Sequence, residues 1–220
     1  MAIELHWLSG SPYAWRVQLA LEIKGLTYTL HQHQISTGEL KSPEYLALNP
    51  RGRVPTLIDD GFVLYESLAI LAYLDSKYPT PALFGTTPQA TGIIWRVIAE
   101  HAMYMDDNVE HFTVPIYFGQ LNQKEAAVRR AAEKLYAELD YLEGLLEGHA
   151  YLAGPTLTAA DIVVFPPVKA IERAAAKDAA KPMAFQFLPF ENRWPNMAKW
   201  MMRIEAIEGY ERTYPPHWRS

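Results

Sequence analysis

The chain contains no cysteine. That absence excludes disulfides, a protein thiolate nucleophile and any cysteine-ligated zinc site. An excess of positive charge is missing too: 20 Lys and Arg stand against 25 Asp and Glu, a formal net charge of −5, which speaks against nucleic acid as a main partner. No apolar run approaches the roughly 20 residues needed to span a bilayer. The opening MAIELHWLSG has neither the basic region nor the apolar core of a secretory leader. Internal repeats and low-complexity tracts are also lacking. A soluble cytoplasmic protein is expected, with no membrane or nucleic-acid partner. What is present is apolar: half of the 220 residues are hydrophobic, enough to bury the core of one large domain or two small ones.

The first 80 residues change period repeatedly. Ile3, Leu5 and Trp7 alternate with Glu4 and His6, which predicts a strand over 2–8. Ser11 and Pro12 then fit the N-cap and first position of a helix, with Val17, Ala20, Leu21 and Ile23 on its buried face and Gly25 closing it. TYTLHQH (27–33) reads as a second strand, and VPTLIDDGFVLY (54–65) as two strands around Asp60-Gly61. Ser67 is expected to cap a helix with Leu68, Leu71, Leu74 and Tyr78 on one stripe. The order is β-α-β-(loop)-β-β-α.

Prolines 79, 81 and 88 punctuate the following stretch, and residues 81–92 read as a linker. Residues 93–220 read as helical. Apolar and aromatic residues recur at helical spacing over 93–112, and Val128, Ala132, Leu135, Leu139, Leu142 and Leu146 mark an amphipathic helix over 124–147. Thr158 and Asp161 stand three apart like a capping box, and Pro195 suits the start of a last helix.

Three junctions in the first 80 residues carry possible chemistry. At Gly10-Ser11-Pro12-Tyr13, the serine is either a plain helix cap or a hydroxyl that uses the cap position to hold an anion, because a helix N-terminus presents unpaired N–H groups. At Arg53-Val54-Pro55-Thr56, a proline heads a strand, where its missing donor is tolerated. At Tyr65-Glu66-Ser67-Leu68, a hydroxyl and helix-start N–H groups could hold a carboxylate while Glu66 accepts from an ammonium. That pair suits the head of an α-amino acid. His31 and His33 share a strand face without a third ligand, so no metal is expected.

In this order the motifs resemble the cytosolic glutathione transferases. SPYAWRVQLALEIKGL is similar to that family's first helix, LNPRGRVPTL (48–57) to the segment around its cis-proline, ESLAILAYL (66–74) to its γ-glutamyl-binding helix start, and LAGPTLTAADIVVF (152–165) to its N-capping motif. The resemblance implies a thioredoxin-like α/β domain over 1–80, a linker over 81–92 and an all-helical domain over 93–220 that holds a hydrophobic substrate. It implies glutathione as co-substrate, a homodimer, and a detoxifying conjugation of glutathione to small hydrophobic electrophiles. Ser11 matches the serine that donates a hydrogen bond to the glutathione sulfur. Val54 matches the residue whose backbone pairs with the cysteinyl part, Pro55 the cis-proline, and Glu66 and Ser67 the γ-glutamyl clamp. Lys41 and Arg53 stand where cations reach the tripeptide, and Tyr13 is a wall or secondary donor. Tyr104, Met105, Phe112, Tyr117 and Phe118 are candidates for the hydrophobic pocket, with His101 and Asn108 as polar contacts.

Departures narrow the class. Members working by disulfide exchange carry cysteine at the matching site, and this chain has none. The isomerase class has Ser-Ser-Cys ahead of Trp-Arg-Val, whereas here Ser11-Pro12-Tyr13 precedes Trp15-Arg16-Val17. A glutathione-dependent isomerase or peroxidase, or a non-catalytic carrier of glutathione or hydrophobic ligands, is the alternative expectation.

Overall fold

A computed structural model describes residues 2–219. They form two compact units. One comprises the chain up to Leu83 together with the segment from Ala206 onward, the other Phe84–Glu205.

The first unit is built on β1 (Ile3–Leu8), α1 (Pro12–Ile23), β2 (Tyr28–His33), α2 (Pro43–Leu48), β3 (Thr56–Asp59), β4 (Phe62–Tyr65) and α3 (Ser67–Lys77). The sheet order is β2-β1-β3-β4, with β1 parallel to β2 and the other pairs antiparallel. This is the thioredoxin-like arrangement expected from the sequence. Alternation along β1 buries Ile3, Leu5 and Trp7, and α1 and α3 pack together. α2 was not foreseen; Ser42 caps it by accepting from the Tyr45 N–H, and Pro43 opens it. On the other face of the strands His6 lies between His31 and His33, with ring centroids 4.8 and 5.1 Å away.

The expected domain limits ran the helical part from 93 to 220. Here the segment from Ala206 packs with the first unit, where Arg212 pairs with Glu22 of α1 and several side chains enclose Trp15. Trp15 is 1% exposed; its indole N–H donates to Thr213 Oγ1 at 2.8 Å. Its ring lies edge-on to Tyr214 and Trp218, at 5.9 and 5.4 Å. A buried indole needs both an apolar enclosure and an acceptor, and the end of the chain supplies both.

The second unit contains α4 (Pro88–Glu100), α5 (Asp106–Tyr117), α6 (Leu121–Leu145), α7 (Ala159–Ala175), α8 (Phe190–Arg193) and α9 (Pro195–Glu205). α4 begins inside the expected linker, because Thr87 accepts from the Ala90 N–H and Pro88 occupies the first turn. The helix expected over 93–112 is interrupted by a π-helical turn at His101–Met105. The capping box of α7 forms, and Asp161 is wholly buried. Its carboxylate accepts from the N–H of Leu152 and of Thr158, from the Thr158 hydroxyl and from the Trp200 indole, all at 2.8–3.0 Å. Among the described residues no helix is long and apolar enough to cross a membrane.

Candidate active site

In the first unit a cavity of about 540 Å³ opens among Tyr13, Asn49, Pro50, Arg51, Arg53, Val54, Pro55, Glu66 and Ser67. Three chain segments build it, and each is held by local chemistry.

The first segment is the turn from β1 into α1. The Ser11 N–H donates to Leu8 O at 3.1 Å, and Ser11 Oγ accepts from the Ala14 N–H at 3.3 Å. That bond uses a lone pair of the hydroxyl and leaves its proton to donate elsewhere. Tyr13, in the first turn of α1, lines the cavity itself. The Arg16 guanidinium, 2% exposed, lies 4.8 Å from the Tyr13 ring centroid, a cation–π contact that fixes the ring.

The second segment is the 49–56 loop. Asn49, 3% exposed, organises it: Oδ1 accepts from the Arg51 N–H at 3.0 Å, while Nδ2 donates to Arg53 O at 2.8 Å and Thr56 Oγ1 at 3.2 Å. The Tyr45 hydroxyl adds a bond to Arg53 O at 2.7 Å. Lys41 Nζ donates to Arg51 O and Gly52 O at 3.1 and 3.2 Å. Gly52 has φ +57, and a Cβ there would fall 2.5 Å from Leu40 O, so only glycine fits between the loop and its neighbour. The carbonyls of residues 51 to 53 are thereby tied inward. The Val54–Pro55 peptide that follows, at the cavity wall, is cis.

The third segment joins β4 to α3. Glu66, not Ser67, is the N-cap residue, with φ +73. A side-chain-bearing residue in that region costs roughly 1–3 kcal/mol and is characteristic of functional sites. The distortion turns Ser67 inward as the first helical residue. Ser67 is 6% exposed, and its Oγ lies 3.5 Å from Arg16 Nη1. The Glu66 carboxylate stays solvent-facing, 3.6 Å from Arg51 Nε. The cavity thus presents an acid, two arginines and the start of α3, a set suited to a ligand bearing both carboxylates and an ammonium.

The chain matches the family described as Glutathione S-transferase, N-terminal domain over residues 10–77, and Glutathione S-transferase, C-terminal domain over 105–208. It is 30% identical to Glutathione S-transferase A of Pleuronectes platessa, a match covering 97% of this chain and 92% of that protein. The structure is similar to that of a glutathione S-transferase from the clam Laternula elliptica, with a TM-score of 0.82, 28% identity, and coverage of 100% and 95% of the two chains. A glutathione transferase from Phanerochaete chrysosporium, solved with oxidized glutathione, gives a TM-score of 0.82 at 25% identity, covering 96% of this chain and 92% of that one. The chain belongs to the glutathione S-transferase family.

Of the residues that the glutathione transferase resemblance singled out, the cavity brings together Tyr13, Arg53, Val54, Pro55, Glu66 and Ser67. Ser11 lies at the cap of the turn that carries Tyr13, outside the lining set, and Lys41 is engaged with the 51–52 carbonyls. Asn49, Pro50, Arg51 and Arg16 were not singled out. The Asn49-Pro50 pair inside LNPRGRVPTL was a visible turn signal; nothing local distinguished Arg16 from a solvated arginine.

The candidates for the hydrophobic pocket separate within the helical unit. Phe112 is fully buried against Phe185 and Phe187, at 5.1 and 4.8 Å between ring centroids. Met105 is 1% exposed. These two belong to the helical core, not to a surface. His101 is buried with Nε2 2.9 Å from Asp106 Oδ1. The Tyr117 hydroxyl donates to Ala170 O, joining α5 to α7. Tyr104 and Phe118 are exposed, and Asn108 Nδ2 donates to Tyr104 O.

Proposed function

We propose that this protein is a glutathione transferase of the serine type, binding glutathione in the cavity of its first unit and conjugating it to small hydrophobic electrophiles. The observation that carries the reading is the state of Ser11. Its oxygen is already engaged with the Ala14 N–H at the head of α1, so its proton is the part that can serve a ligand. A sulfur placed there meets a hydroxyl donor and a helix N-terminus, both of which favour the thiolate over the thiol.

The roles follow the donor set. Ser67 and the first N–H groups of α3 hold the γ-glutamyl carboxylate, and Glu66 accepts from its ammonium. Val54 pairs with the cysteinyl backbone beside Pro55. Arg53 lies near the glycine end, and Lys41 keeps the loop shaped for it. Tyr13 walls the sulfur. The thiol proton leaves to solvent, the thiolate electron pair forms the new carbon–sulfur bond, and the electrophile's leaving group departs with its own pair. The protein contributes position and a stabilised thiolate, without covalent attachment.

The exposed Met103 and Tyr104 at the π-helical turn support a role for the helical unit in holding an apolar co-substrate, with Asn108 beside them. A homodimer in the cytoplasm, serving detoxification, belongs to the same reading and rests on family membership.

The test is a pH titration of the thiolate absorbance of bound glutathione, in the wild type and in Ser11→Ala. The wild type should give a pKa about two units below that of free glutathione, a preference for thiolate of about 2.7 kcal/mol. Ser11→Ala should return it most of the way and cost ~10–100-fold in conjugation of a chlorinated nitroarene. A bound but unshifted thiol in the wild type would make the protein a carrier instead.

A further inference from the structure

The end of the chain reaches the turn that carries Ser11. His217 Nδ1 lies 2.7 Å from Ser9 Oγ, a bond between residues 208 positions apart in sequence. Gly10, the next residue, has φ +81, and a Cβ built there would stand 2.9 Å from His217 Cε1 and 3.2 Å from Trp218 Nε1. The tail is therefore in contact with the main chain of the turn and not only with a side chain. Its own geometry is fixed: the Trp218 N–H donates to Pro215 O at 2.9 Å, and Trp218 is 8% exposed and edge-on to Trp15.

We infer that His217 is a positioning residue for Ser11. The inference rests on the thiolate-stabilising reading of Ser11 proposed above. Trp218 anchors the tail through burial, while His217 is the group that grips the turn. Ser9 and Gly10 are the two central residues of a turn closed by the bond from the Ser11 N–H to Leu8 O. With that closure in place, displacing Ser9 displaces the Ser11 oxygen two residues on. A hydroxyl that stabilises a thiolate does so only at hydrogen-bond distance and angle, so the grip on Ser9 sets how well the sulfur is served.

Four single variants and one double variant test this: Ser11→Ala, His217→Ala, His217→Asn, Ser9→Ala, and Ser9→Ala with His217→Ala. Readouts are the pKa of bound glutathione, kcat, and KM for glutathione. His217→Ala should raise the bound thiol pKa by about half a unit and lower kcat about fivefold, the weight of one neutral hydrogen bond. Its KM for glutathione should stay within about twofold, because the γ-glutamyl clamp is untouched. His217→Asn should restore most of the loss, since its amide places a polar atom where Nδ1 stood. Ser9→Ala should match His217→Ala, and the double variant should be no worse than either.

Unchanged kcat and thiol pKa in His217→Ala, beside a clear loss in Ser11→Ala, would overturn the inference while leaving the function standing. A loss confined to KM, or one that adds to that of Ser9→Ala, would likewise overturn it. A bound thiol unaffected by Ser11→Ala would remove the proposed function and the inference together. Should His217→Ala fail to fold, Ser9→Ala, which leaves the tail intact, carries the same comparison of kcat with thiol pKa.

Discussion

Lys41 shows how a residue's partners decide what its loss would do. The family pattern points its ammonium at the glycine carboxylate of glutathione, whereas its Nζ here donates to Arg51 O and Gly52 O. A charge satisfied by loop carbonyls acts on the ligand through the shape of the loop. Lys41→Ala should therefore weaken binding of glutathione and of its glycine ethyl ester by the same factor, about threefold, the weight of a hydrogen bond or less. Direct recognition of the glycine carboxylate would spare the ester, and titration calorimetry with both ligands decides between the two. Arg16 makes the complementary case. Its spacing in α1 says only that it is charged, yet it is 2% exposed and serves both Tyr13 and Ser67.

At the scale of elements, the strand alternation, the start of α1 and the α7 capping box were legible, because each is a local pattern with a local cause. Ser11, with Pro12 behind it, is such a cap. Ser67 looked identical in sequence and is not one, because the positive φ of Glu66 shifts the helix start by one residue, and nothing short of the assembled sheet dictates that torsion. The π-helical turn was hidden for a similar reason: His101–Met105 keep a helix-compatible composition, and the two helices that the turn joins, α4 and α5, both pack against α7, a contact remote in sequence.

The histidine row also needed the sheet, since β1 and β2 pair His6 with His31. Burial, with the charges of His31 and His33 beside it, pulls the His6 pKa from 6.5 to about 4. Glu4, bonded to His31, and Glu39, bonded to His33, are acids facing the row, and Tyr45 of α2 packs edge-on to His6. Between those two pH values the unfolded chain holds more protons at this position than the folded one, so stability falls as pH drops from about 6.5 towards 4. With allowance for solvent screening the loss is about 1–2 kcal/mol. Urea unfolding from pH 4 to 7.5 should show this slope in the wild type and a shallower one in His6→Gln; equal slopes would clear His6 of the effect.

For the molecule as a whole, the two compact units do not coincide with two continuous stretches of chain. The unit bearing the cavity takes residues from both ends, and the helical unit, Phe84–Glu205, is continuous. A fragment of residues 84–205 should fold alone. A fragment of residues 1–83 should not give a cooperative transition until residues 206–220 are supplied, because Trp15 lacks its enclosure and its acceptor without them. Thermal unfolding of the two fragments, and of 1–83 fused through a flexible linker to 206–220, measures this directly. The same interleaving has a consequence for synthesis. Domains ordinarily fold as the ribosome releases them, the earliest first. Here the cavity-bearing unit starts ahead of the helical unit in the chain and is completed after it, and a stop codon just past Glu205 would leave a complete helical unit attached to a cavity-bearing unit that lacks its last segment.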